Sequence, residues 1–175
     1  TYGLDASGLT GASPFMPIYP ELIAEQLRAT YGCEVDLFNR AVGGWAVPNG
    51  LADLDKLLAH EPDLVLIAYG MNDVGRRNVD AYREGIQKMI QQIQSARPQA
   101  EIILVATMLG NEQWHHTPRE MFPKYRDALA SLCGDGIALA DLTTLWTEML
   151  KRKRDCDLTG NGVNHPSDFG QRVYA

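Results

Sequence analysis

Short, continuously apolar runs alternate along this chain with longer stretches whose apolar residues recur at helical spacing. Leu64-Val65-Leu66-Ile67-Ala68-Tyr69 is punctuated by Gly70, Ile102-Ile103-Leu104-Val105-Ala106 by Thr107, and Ile137-Ala138-Leu139-Ala140 by Asp141. Glu34-Val35-Asp36-Leu37-Phe38 reads as a further short strand ending at Asn39. Apolarity that does not alternate means a strand covered on both faces, as in a parallel sheet. The gaps read as helices. Pro20 suits a first helical position, with Ile23, Leu27 and Tyr31 inward and Gly32 as the stop. Leu51, Leu54, Leu57 and Leu58 mark one shorter helix, and Val79, Tyr82, Ile86, Met89, Ile90 and Ile93 form a clear stripe that stops before Pro98. Met121, Tyr125, Leu129 and Leu132 predict another, ended by Gly134; Leu142 to Leu150 gives a fifth, and Phe169, Val173 and Tyr174 begin a sixth. This order predicts an α/β layered sheet with right-handed crossovers. Ligands gather at the carboxyl ends of such strands, so residues 39–45, 70–73, 107–116 and the stretch from Asp141 are the places to look for a site.

Composition narrows the functions open to such a sheet. At 175 residues and 45% hydrophobic the chain fits a single domain, 1–175, with a sizeable core, and no internal repeat or linker divides it. A net charge of −6 argues against nucleic acid as a partner, because phosphate binding wants a basic surface. The basic run Lys151-Arg152-Lys153-Arg154 reads as a helix C-terminus complementing its own dipole. Cys33, Cys133 and Cys156 are odd in number and lack metal-ligand spacing, which suggests free thiols. No apolar run reaches membrane-spanning length.

Three loops carry candidate chemistry. In Gly70-Met71-Asn72-Asp73 the glycine permits a tight exit from a strand, Asn72 can donate through its side-chain amide, and Asp73 can cap the following turn. As a bare dipeptide Asn-Asp is also a common turn former. In Asn39-Arg40-Ala41-Val42-Gly43-Gly44-Trp45 two glycines let a backbone N–H approach a ligand, which makes Gly44 N–H a second candidate donor beside the simple-loop reading. His165 lies in Gly160-Asn161-Gly162-Val163-Asn164-His165-Pro166, a loop in which an imidazole can take or give a proton near neutral pH; the plain alternative is a surface-loop histidine. Trp114 and His115-His116 follow the run ending at Ala106 and can line a cleft, whereas an adjacent histidine pair is a weak metal signal.

Taken together, strand-Asn-(x)₄-Gly, then strand-Gly-x-Asn-Asp, then a late Asn-His-Pro loop, in this order on an α/β chain, resembles the SGNH hydrolases, the GDSL esterase/lipase family. The resemblance covers nearly the whole chain. It implies a three-layer α/β/α, flavodoxin-like parallel sheet with helices on both faces, and a serine esterase that needs neither metal nor organic cofactor. It implies Gly44 and Asn72 as oxyanion donors and His165 as the base, with Trp45, Trp114 and His115 bordering a substrate cleft. The family's serine belongs to a Gly-Asp-Ser motif that often continues with an apolar residue and Thr-x-Gly. Thr1-Tyr2-Gly3 looks like that tail, so the serine and the first strand are expected upstream of Thr1, and the domain is expected to be cut short there and at its C-terminal end. Ser7 and Ser13 do not follow an apolar run, and Thr1 as an N-terminal nucleophile fits the rest of the chain poorly. The family's acid, three residues before the histidine, is replaced by Gly162; Asp157, Asp168 or a backbone carbonyl is left to orient the ring, with Asp157 favoured by its place upstream in the same loop.

The leading expectation is therefore hydrolysis of a small-molecule or carbohydrate ester, short acyl or acetyl, through an acyl-enzyme. A chain with the cleft but no nucleophile would instead be a carbohydrate- or ester-binding module. A metal-dependent phosphoesterase using Asp73, His115, His116 and His165 is a third reading, short of carboxylates.

Overall fold

The computed structural model describes residues 17–175. The expectations attached to Thr1-Tyr2-Gly3, Ser7, Ser13 and a first strand lie outside those residues. Among the described residues, three parallel strands form one sheet in the order β1-β2-β3: β1 Leu64–Ile67, β2 Glu101–Ala106 and β3 Ile137–Asp141. Each occupies one of the continuous apolar runs. Val65 and Ile67 of β1 and Ile102, Leu104 and Val105 of β2 are buried.

The helices follow the sequence signals closely where a cap fixes their ends. Helix α1, Tyr19–Tyr31, carries Pro20 in its first turn and ends at Gly32, whose N–H donates to Arg28 O at 3.0 Å. Helix α4, Val79–Ala96, is capped by Asn78, which accepts from Ala81 N, and buries Tyr82, Ile86, Met89, Ile90 and Ile93. Helix α6, Leu142–Leu150, springs directly from β3 because the Asp141 carboxylate accepts from Thr144 N. Helix α5, Phe122–Ala130, follows a 3₁₀ turn at Arg119–Met121, and α8 spans Asp168–Tyr174. Helices α4 and α5 are the two crossovers and pack against each other, while Trp146 of α6, fully buried, meets Tyr174 of α8 edge-on.

Two expectations change. The leucine-marked helix is two helices, α2 Val47–Ala52 and α3 Leu54–Leu58. The break falls at Asp53, whose buried carboxylate turns to Arg40 and Lys56 at 2.7 Å each. A short helix α7, Asp155–Leu158, carried no apolar stripe to announce it. The second change is Glu34–Phe38, which is not a strand. No neighbouring strand pairs with its backbone among the described residues, and an apolar segment becomes a strand only where a ladder partner satisfies its N–H and C=O groups. Leu37 and Phe38 consequently stand 43% and 51% exposed, Phe38 stacked on His60.

Side chains from the helices pin the strand exits where loops emerge. Tyr82 Oη donates to Tyr69 O at 2.9 Å and Tyr125 Oη to Asp73 O at 3.0 Å, so α4 and α5 grip both ends of the turn that leaves β1. At the exit of β2, Tyr174 Oη accepts from Met108 N at 2.8 Å and Thr143 Oγ1 donates to Thr107 O at 2.7 Å.

Candidate active site

The turn after β1 is closed by Gly70 O, which accepts from Asp73 N and Val74 N at 3.0 and 2.9 Å. It throws two neighbouring side chains toward one segment. Asn72, exposed, donates from Nδ2 to Trp45 O at 2.9 Å. Asp73, only 4% exposed, accepts from Val47 N through Oδ1 at 3.0 Å. Asp73 thus caps the start of α2 rather than its own turn. Its other oxygen, Oδ2, has no hydrogen-bond partner among the described residues, and burial pushes its proton affinity up. An amide that gives one N–H to a carbonyl keeps a second for another acceptor. Asn72 is therefore held by Trp45 O with a donor to spare.

The segment it holds carries Gly44. Trp45 N donates to Val42 O at 3.2 Å, and Gly44 sits at the corner of this turn with φ +80°, where a side chain would be strained. Gly44 N–H meets no acceptor among the described residues. The structure therefore brings Gly44, Asn72 and the half-buried Trp45 together through the Trp45 carbonyl.

His165 lies on a loop cinched at its base by the Thr159–Pro166 bridge and by Gly160 N donating to His165 O at 2.9 Å. The imidazole is half-buried, and that burial holds it below its ordinary value of 6.5. Asp157, the carboxylate favoured for orienting it, is engaged by the Arg154 backbone N–H and guanidinium at 2.9 and 3.0 Å, which draws it down to about 2. Asp168 opens α8 directly after the Ser167 cap, where a carboxylate complements the helix N-terminus.

Trp114, His115 and His116 sit in the loop after β2. Trp114 is half-buried and meets His116 edge-on, while His115 and His116 are exposed and lie against each other. This loop links the others. A Cβ at Gly75, in the turn beyond Asn72, would lie 2.5 Å from His116 O, so the two backbones are in close contact. On the opposite side Asn111 N donates to Val163 O and Asn111 Nδ2 to Gly162 O, both at 2.7 Å. Arg119 adds bonds to Gly110 O and to Asp155 of α7. Among the described residues no three histidine, cysteine or acidic side chains gather as a metal site, and no helix is long and apolar enough to cross a membrane.

The signature of the GDSL-like Lipase/Acylhydrolase family matches residues 1–173. The chain belongs to this family. Its members are ester hydrolases, and the parallel α/β sheet is theirs. An acetylxylan esterase from Geobacillus stearothermophilus superposes with a TM-score of 0.73 at 22% identity, covering 98% of this chain and 81% of that one. A lipase/acylhydrolase from Enterococcus faecalis superposes at 0.75 and 21% identity, covering 96% and 85%. At these identities the likeness is one of fold. A multidomain esterase from Ruminococcus flavefaciens is 25% identical over 100 residues, which is 53% of this chain and 13% of that protein's length.

Three side-chain roles around the candidate site were not read from the sequence: Asp73 as the cap of α2 instead of its own turn, and Asn111 and Asn161 as anchors of the histidine loop. The available signal was local. Asparagine and aspartate in Gly-rich loops bind nearby backbone, and Asn161 stands four residues before His165.

Proposed function

We propose that this protein hydrolyses short acyl esters, acetyl esters of carbohydrates foremost, through a serine acyl-enzyme, with the serine supplied just upstream of Thr1. Its Oγ attacks the ester carbonyl while His165 takes the Oγ proton. Gly44 N–H, the Asn72 amide and the serine's own N–H receive the oxyanion; His165 then protonates the departing alkoxide, and water, deprotonated by the same ring, releases the acid. The observation that carries this reading is the bond from Asn72 Nδ2 to Trp45 O, beside Gly44. It supports a spare amide N–H close to a backbone N–H that meets no acceptor among the described residues, at the mouth of a strand. The loop after β2, with Trp114 and His115, offers aromatic faces suited to a sugar ring. The acetylated-carbohydrate class draws support from the name of the Geobacillus protein, an acetylxylan esterase, and ester hydrolysis more broadly from that of the Ruminococcus esterase.

The test compares p-nitrophenyl acetate hydrolysis by the N-terminally extended protein with that by residues 1–175. Turnover by the extended form, lost when its Gly-Asp-Ser serine becomes alanine, is the expected result. A residue other than serine at that position, with no turnover, would instead indicate a carbohydrate- or ester-binding module.

A further inference from the structure

We propose that Asn161 is the positioning residue that aims His165, gathering the backbone of the histidine loop on its side-chain oxygen while Asn111 anchors the same loop from the exit of β2. The proposal rests on His165 being the base. Asn161 Oδ1 accepts from Val163 N, Asn164 N and His165 N at 2.9, 3.0 and 3.1 Å. Three converging N–H dipoles on one oxygen fold residues 161–165 into a tight cup, and Asn161 Nδ2 closes it on Asn164 Oδ1 at 3.1 Å. His165 is held on both sides of its Cα, its N–H by Asn161 and its C=O by Gly160 N. The direction of its Cα–Cβ bond is thereby fixed.

Asn111 works on the outer wall of this cup. Its Nδ2 and N donate to Gly162 O and Val163 O at 2.7 Å, and its own Oδ1 accepts from Gln113 N at 2.9 Å. Gly162, three residues before the histidine, lies at φ +74°, in the left-handed region that favours glycine. Asp157 and Asp155 are taken by Arg154 and Arg119, and neither Asp157 nor Asp168 makes a hydrogen bond to His165. Amide hydrogen bonds thus fix the backbone of the histidine loop.

The two asparagines differ in what they supply. At Asn161 the essential atom is an acceptor, which aspartate retains. At Asn111 it includes a donor, which aspartate lacks and replaces with charge facing the Gly162 carbonyl. In the full-length protein, assayed on p-nitrophenyl acetate at about pH 8, where the imidazole is neutral, Asn161→Ala should lower kcat about 10²-fold with little change in KM. Asn161→Asp should recover kcat to about tenfold or more above Asn161→Ala. Asn111→Asp should fall at least as far as Asn111→Ala. Should Asn161→Ala fail to fold, the opposite responses of Asn161→Asp and Asn111→Asp still decide. An Asn161→Ala protein with undiminished kcat, or aspartate tolerated equally at both positions, overturns the proposal while leaving His165 as base. Full activity in His165→Ala removes the base itself, and with it both readings.

Discussion

Replacing His165 with alanine in the full-length protein should lower kcat toward short acyl esters by roughly 10⁴-fold, with KM nearly unchanged. In the proposed mechanism the imidazole handles the reacting proton and does not bind the substrate, so the loss should fall on turnover. Its environment adds a second signature. Burial disfavours the imidazolium and holds the ring below its ordinary value of 6.5. A general base works in its neutral form, so kcat/KM should stay flat down through that value and fall only as pH drops past the lowered one. An acidic limb above 6.5 would contradict the half-buried ring as base. Alanine at the exposed His115 or His116 should not change that limb.

Asn72→Ala should lower kcat by about 10²–10³-fold, the usual loss for one oxyanion donor, equivalent to about 2.7–4 kcal/mol of transition-state stabilisation. Asn72 is exposed and bonds only Trp45 O among the described residues, so stability should change by no more than about 1 kcal/mol. Asn72→Asp separates donation from size. The carboxylate matches the amide in shape but would face Trp45 O and the developing oxyanion without a proton to give, so kcat should be as low as in Asn72→Ala. Wild-type turnover in either variant would take Asn72 out of the mechanism. Urea midpoints measured alongside would keep a folding defect from being mistaken for a lost donor.

Much of the fold was legible because local chemistry and global packing agree. Pro20 and Gly32 bracket α1, Asn78 caps α4, and the apolar runs from Leu64, Ile102 and Ile137 became strands because each has a parallel neighbour. Glu34–Phe38, whose Val35, Leu37 and Phe38 are mixed with two carboxylates, has no ladder partner among the described residues, and strandedness is a property of pairs, which a single segment does not display. The split between α2 and α3 hid for a related reason. The leucine spacing continues through Asp53, while the break depends on Arg40, distant in sequence, meeting its carboxylate.

For the candidate site the sequence pointed to residues and not to their wiring. Motif spacing pointed to Gly44, Asn72 and His165, and the structure joins the first two through Trp45 O. Composition gave no hint that Asp73 would reach past its own turn to Val47 N, or that Asp157 would be claimed by Arg154. Asn161 and Asn111 look like ordinary loop residues in the chain. Only the meeting of the β2 exit with the histidine loop reveals what their amides hold.

The most direct measurement is a crystal structure of the N-terminally extended protein after reaction with diethyl p-nitrophenyl phosphate, whose phosphoryl oxygen occupies the place of the oxyanion. That oxygen should lie about 2.7–3.1 Å from Gly44 N and Asn72 Nδ2, with the His165 ring against the ester oxygens. A phosphoryl group attached to some other residue, or one whose oxygen points away from both donors, would show that these three residues do not serve one carbonyl.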